Sequence, residues 1–168
     1  AMAFDNVYPD EAYYMATTEA NTFILDVRTN AEWTWVGHPG ENKLGEGADL
    51  VGKVINTAYM IEYKGDFIIN PSFLVDVQNA FPDPDQVTLI TMCRSGGRSV
   101  SAANALEAAG YTDVVNMLTG FEGSKDASGY RTVNGWKIDG LPYTYSGDGY
   151  HDYHPGYHGQ GNGYGFHK

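Results

Sequence analysis

Apolar residues in this chain come either as short unbroken runs or at helical spacing, and the two alternate along the first 120 or so residues. Phe23-Ile24-Leu25-Asp26 is a buried strand ending in a carboxylate, and Val87 to Met92 is the strongest strand, β-branched and set off by the Pro82-Asp83-Pro84-Asp85 turn before it. Val114 to Met117 reads as one more strand. Between them, Asp10 suits the N-cap of a short helix through Thr17, and Asn70-Pro71 opens a helix that carries Phe73, Leu74, Val77 and Phe81 on one face. Residues from about Arg98 to Ala109 favour a further helix, with Gly110 where a left-handed C-terminal cap belongs. Strands alternating with helices predict an α/β fold with a mainly parallel sheet.

Two polar, glycine-rich stretches, Gly37 to Asp49 and Gly123 to Gly135, interrupt the pattern as long loops. After Pro142 the composition changes: six of the 13 Tyr, seven of the 21 Gly and four of the five His lie in residues 143–168, with almost no aliphatic residue to bury. The expected organisation is therefore an N-terminal extension over 1–6, one domain over 7–142, and a Gly/Tyr/His-rich tail over 143–168.

Charge and cysteine content narrow the chemistry. Ten basic against 21 acidic residues give a net charge of −11, a field that repels nucleic acid and anionic lipid headgroups, and no apolar run is long enough to span a bilayer. Cys93 is the one cysteine, so there is no internal disulfide and no multi-thiolate metal site. Any thiol acceptor has to act in trans.

Cys93 sits between the strongest strand and a helix, in Cys93-Arg94-Ser95-Gly96-Gly97-Arg98-Ser99. The paired glycines let the backbone curl its N–H groups inward, and the helix start adds a positive end, so the loop suits an anion. The same groups, with Arg94 and Arg98, favour negative charge on the sulfur. Ser95 and Ser99 offer further hydroxyl donors. An inert core thiol needs none of these companions, so Cys93 is the candidate nucleophile and Arg94 to Ser99 the candidate substrate-binding groups.

This loop resembles the active-site loop of single-domain rhodaneses. Ile24 to Thr29 with Glu32-Trp33 is similar to the family's Asp-Val-Arg signature. Val51 to Asn56 is similar to its Gly-His-Ile-Pro-Gly-Ala-Ile-Asn segment, with Lys53 where histidine is usual and the proline missing. Gly120-Phe121 and Gly135-Trp136 with Gly140-Leu141-Pro142 look like its closing signature split by an insertion. The resemblance implies a three-layer domain and a sulfurtransferase. Cys93 would take sulfur from thiosulfate or a similar anionic donor as a persulfide, with no required cofactor, and pass it to a thiol or cyanide. A persulfide carrier with little turnover is one alternative. A cysteine-dependent phosphatase or arsenate reductase is another, although related phosphatases place five residues between cysteine and arginine, where here there are four.

Asp26 and Arg28 read as a local ion pair bracing the site, joined by Glu32, for which the resemblance implies the same role. His38, in the first long loop, is either a proton shuttle or simply solvent-exposed. Trp33, Trp35 and Trp136 read as core or rim packing. In the tail, His151, His154 and His158 beside Asp152 have the residue types of a zinc, copper or nickel site. The other reading is an aromatic segment packed over the domain without metal. The start, Ala1-Met2-Ala3-Phe4, has no targeting pattern. It fits a trimmed end, and similar exported rhodaneses make a periplasmic setting the expectation, with the cytoplasm as the alternative.

Overall fold

The computed structural model describes residues 4–146. Its centre is a five-stranded parallel sheet in the order β1-β8-β7-β2-β4, formed by β1 (Asp5–Val7), β2 (Thr22–Asp26), β4 (Val54–Asn56), β7 (Thr88–Met92) and β8 (Val114–Met117). Four helices flank it: α1 (Pro9–Thr18), α2 (Asn30–Val36), α3 (Phe73–Ala80) and α4 (Gly97–Ala108). Two small antiparallel pairs stand outside it, β3 (His38–Pro39) with β9 (Tyr143–Thr144), and the hairpin of β5 (Met60–Tyr63) and β6 (Asp66–Ile69). No helix among the described residues is long and apolar enough to cross a membrane.

The period-two rule of a strand explains the layers. Leu25, Leu89 and Val114 point to one face with Phe73 and Val77 of α3 and Ala102, Ala103 and Leu106 of α4. Ile24, Ile90 and Val115 point to the other, with Ala12 and Ala16 of α1, Trp33 of α2, Phe121 and Trp136. Cys93 belongs to the α3/α4 side.

Several boundaries differ from the sequence reading. Pro9, not Asp10, opens α1; Tyr8 occupies the N-cap without a side-chain bond, and Asp10 accepts from the neighbouring Glu11 amide. Proline at the first helical position needs no N–H, and this outweighs the capping tendency of Asp10. Asn70 does not cap α3 directly. Its Oδ1 accepts from Ser72 N at 3.0 Å, and the Asn70-Pro71 pair turns the chain before the helix starts at Phe73. Gly110, with φ +103°, ends α4 as expected. Short strands β1, β3, β4 and β9 carry no pattern of their own and exist through their partners. Residues 4–6 are therefore no loose extension: Phe4 is buried in the core and Asp5 starts β1, while Tyr143 and Thr144 pair with Pro39 and His38. Trp33 and Trp136 are buried, but Trp35 is 80% exposed, on the outer side of α2.

Candidate active site

The carboxyl ends of parallel strands are where α/β folds assemble sites, and three of them meet here. Asp26 lies level with Met92 on one side and Asn56 on the other, so the residues just beyond, Val27, Cys93 and Thr57, leave the sheet side by side. Cys93 is 1% exposed, while Arg94, Ser95 and Gly97 around it are open to solvent. The sulfur lies buried beneath a loop whose outer residues are polar and exposed.

Local geometry points one backbone donor at that sulfur. Gly96 N donates to Cys93 Sγ at 3.0 Å, from a backbone with φ +125° that favours glycine. The thiol lies 3.4 Å from Ser99 Oγ, and that hydroxyl donates to Gly96 O at 3.2 Å. Thr91 Oγ1 donates to Ser99 O at 3.0 Å, tying β7 to the first turn of α4.

The loop's carbonyls are drawn the other way by the turn after β8. Phe121 N donates to Cys93 O at 2.9 Å, and Glu122 N and Gly123 N both donate to Arg94 O, at 2.9 and 3.1 Å. Gly120 makes this approach possible, because a Cβ there would stand 2.4 Å from Cys93 O. A backbone whose carbonyls are fixed outward keeps its amides for an anion.

The two loop arginines differ. Arg94 is exposed and joins no ion pair among the described residues. Arg98 is held two-pronged by Glu32, Nη1 to Oε1 at 2.7 Å and Nη2 to Oε2 at 2.9 Å. Glu32 Oε1 also accepts from Thr29 N and Oγ1, while Thr29 Oγ1 accepts from Glu32 N, a capping box at the start of α2. Burial opposes the Glu32 charge. The Arg98 hydrogen bonds and charge, then Arg28's charge and the Thr29 amide, override it and hold the pKa down at about 2. Burial likewise opposes the Arg98 charge, but Glu32, followed by Cys93 and Asp26, keeps its pKa above the ordinary value.

The brace expected from Asp26 and Arg28 is present and fully buried. Arg28 Nε and Nη2 reach Asp26 Oδ1 and Oδ2 at 2.9 and 2.6 Å, and Nη2 also donates to Gly37 O at 2.8 Å. The Arg28 guanidinium lies 4.4 Å from the centre of the Phe121 ring. Glu32 does not pair with this brace, contrary to the sequence reading: α2 carries it across to Arg98. His38 is not solvent-exposed; it is buried and stacked on Trp33, which belongs to the core cluster on the face of the sheet opposite to that of Cys93.

Further residues contribute that sequence reasoning did not single out. Asn56 Nδ2 donates to both Asp26 O and Arg28 O at 2.9 Å, pinning the turn that carries the ion pair. Thr29 caps α2, and its Thr-x-x-Glu spacing to Glu32 was a readable signal. The turn at Gly120 to Gly123, of which the sequence reading matched Gly120-Phe121 only as part of the family's closing signature, orients the cysteine loop, a role no local pattern reveals. Among the described residues no group of three or more His, Cys, Asp or Glu converges on a metal site. His151, His154 and His158 lie outside the described residues.

The comparisons with known proteins agree with this geometry. A family model described as "Rhodanese-like domain" matches residues 9–127. An uncharacterized protein of Rickettsia conorii is 31% identical over 144 residues, covering 86% of this chain and all of its own length. Thiosulfate sulfurtransferase 16, chloroplastic, of Arabidopsis thaliana is 33% identical over 118 residues, 70% of this chain and 76% of that one. Among solved structures, Rv0390 from M. tuberculosis superposes with a TM-score of 0.67 at 32% identity, covering 84% of this chain and 98% of that chain. With its parallel sheet, its cysteine loop and a family match over most of its length, the chain belongs to the rhodanese-like domain family.

Proposed function

We propose that the protein is a sulfurtransferase in which Cys93 takes up sulfane sulfur from thiosulfate or a similar anionic donor and hands it to a thiol or cyanide. The observation that carries the reading is the Gly96 amide aimed at Cys93 Sγ at 3.0 Å, in a loop whose Cys93 and Arg94 carbonyls are held by the closing turn. In the first step the Cys93 thiolate attacks the outer sulfur of thiosulfate. The new S–S bond forms as the donor's own S–S bond breaks, and sulfite leaves with the electron pair. The resulting persulfide anion is held by the loop amides. In the second step an acceptor thiolate or cyanide attacks the outer sulfur and Cys93 leaves as thiolate.

Arg94, which joins no ion pair among the described residues, is free to meet the donor's oxygens, while Arg98 acts by holding the loop to α2. The grip of Glu32 on Arg98 also favours sulfur over phosphoryl chemistry, because a phosphatase loop uses its arginine to clamp the phosphate. A relative that is a thiosulfate sulfurtransferase by name supports the same reading.

Intact-protein mass after incubation with thiosulfate tests it. The reduced protein should gain one sulfur atom, lose it to an added thiol or cyanide, and gain none as Cys93→Ser. No gain on a free thiol would overturn the proposal and direct attention to an aryl phosphate assay. Uptake with negligible turnover would instead identify a persulfide carrier.

A further inference from the structure

The cysteine loop is anchored from two sides. Arg98, in the first turn of α4, is gripped by Glu32, and Arg94 O accepts from both Glu122 N and Gly123 N, at 2.9 and 3.1 Å. Two amides share one oxygen only while the turn that carries them stays fixed, and Gly123, a glycine with φ +77°, is free to rotate. What fixes it comes from the long loop 123–135. Arg131 Nη1 donates to Gly123 O, so Gly123 is held at its amide by Arg94 O and at its carbonyl by Arg131. A guanidinium donor makes a charge-assisted bond, about twice as strong as a neutral one. Arg131 is half-exposed and joins no ion pair among the described residues, so no carboxylate draws it off that carbonyl.

The rest of the loop places Arg131. Its two legs leave and rejoin the turn in close contact: a Cβ on Gly123 would overlap Asn134, and one on Gly135 would overlap Gly123. Ser124 N donates to Asn134 Oδ1 at 2.8 Å, and Trp136 N returns to Gly120 O at 2.9 Å. The tip is knotted around Asp126. Its carboxylate accepts from Ser128 N at 2.8 Å, Tyr130 N at 3.0 Å and Thr132 Oγ1 at 2.6 Å, while Asp126 N donates to Tyr130 O at 2.6 Å. Arg131 lies between two residues of this knot, Tyr130 and Thr132, so the backbone from which it reaches Gly123 is itself fixed.

We propose that Arg131 is a positioning residue for the chemistry at Cys93, acting through Gly123 on the Arg94 carbonyl and so on the loop whose Gly96 amide meets the sulfur, with Asp126 holding the tip that presents it. The inference rests on the sulfur-transfer reading of that site. It gives the loop 123–135 the role of a strap that completes the cysteine loop from the side opposite Glu32 and Arg98.

The test compares full-length wild type and variants in steady-state transfer from thiosulfate to cyanide, with thermal unfolding to confirm the fold and amide hydrogen exchange of Gly123 followed without any donor. Arg131→Ala should lower kcat at least about tenfold, the size of one charge-assisted hydrogen bond, change KM less than about twofold, and speed exchange of the Gly123 amide at least about tenfold. Arg131→Lys keeps a cationic donor and should bring kcat back to within about threefold of wild type. Lys125→Ala removes an exposed charge of the same loop and should leave kcat and exchange unchanged. Asp126→Ala should reproduce Arg131→Ala, and decides the matter if that variant fails to fold. A higher KM at unchanged kcat would make Arg131 a donor-binding group and overturn the proposal. So would unchanged kcat and exchange, a lysine variant as impaired as the alanine one, or loss of the fold in both alanine variants. If wild type takes up no sulfur, the sulfurtransferase reading fails, while the exchange of Gly123 still judges the hold of Arg131 on the loop.

Discussion

Glu32 and Arg98 are 66 residues apart in the chain and grip each other through two hydrogen bonds of 2.7 and 2.9 Å, so the first turn of α4, which continues the cysteine loop, is tied to the first turn of α2. Glu32→Gln keeps the shape and removes the charge. It should lower kcat/KM for thiosulfate by about 10- to 100-fold, the size of a charge-assisted hydrogen bond. The pH dependence has a definite sign. Glu32 titrates at about 2 when folded against 4.5 otherwise, so its contribution is present above about pH 4.5 and lost as pH falls towards 2. Urea midpoints of wild type and Glu32→Gln should therefore differ at neutral pH and converge in acid.

Arg94→Ala and Arg98→Ala should separate binding from positioning. Arg94 is exposed without an ion pair among the described residues, so its loss should raise KM for thiosulfate by about tenfold and leave Tm unchanged. Arg98→Ala strands the Glu32 carboxylate and frees the loop, lowering kcat and Tm together. Steady-state kinetics and thermal unfolding on the two variants check this split, and identical phenotypes would refute it.

Arg28→Ala should destabilise the protein by about 3–5 kcal/mol, because Asp26 is left fully buried without its partner. The paired change Asp26→Leu with Arg28→Met, which removes both charges, should cost markedly less. Urea unfolding of the single and double variants measures the difference. An equal loss in both would mean that packing on Phe121, rather than charge, holds the segment.

Gly120→Ala should push the cysteine loop out of place. The added methyl would meet Cys93 O at 2.4 Å and Arg94 O at 2.7 Å, on a backbone with φ +64°. Sulfur uptake by mass spectrometry should slow sharply, and stability should fall by roughly 2 kcal/mol or more. Gly129→Ala, also at positive φ but with nothing within 4 Å of the new Cβ, should cost only about 1 kcal/mol and leave uptake intact.

The loop around Cys93 was legible because its determinants are local. A β-branched run makes β7, Gly96 and Gly97 let the chain turn, and the helix-favouring residues after Arg98 make α4, all within neighbouring residues. The Asp26–Arg28 pair was legible for the same reason, being two residues apart at a strand end. The sequence also set the layer pattern, since alternation along β2, β7 and β8 sends side chains to both faces wherever those strands lie.

Tertiary structure decided the partners. Glu32, a near neighbour of Asp26 and Arg28 in the chain, reads as part of their brace. The parallel order of β2 beside β7 places the start of α2 against the start of α4 instead, and so delivers Glu32 to Arg98. Likewise, His38 sits in a polar-looking stretch, and only the pairing of β3 with β9 and the stacking on Trp33 bury it. A turn or a cap is specified by adjacent residues, whose geometry the backbone dictates. A contact between distant segments depends on which strands lie side by side, and that follows from burying the whole set of apolar faces at once.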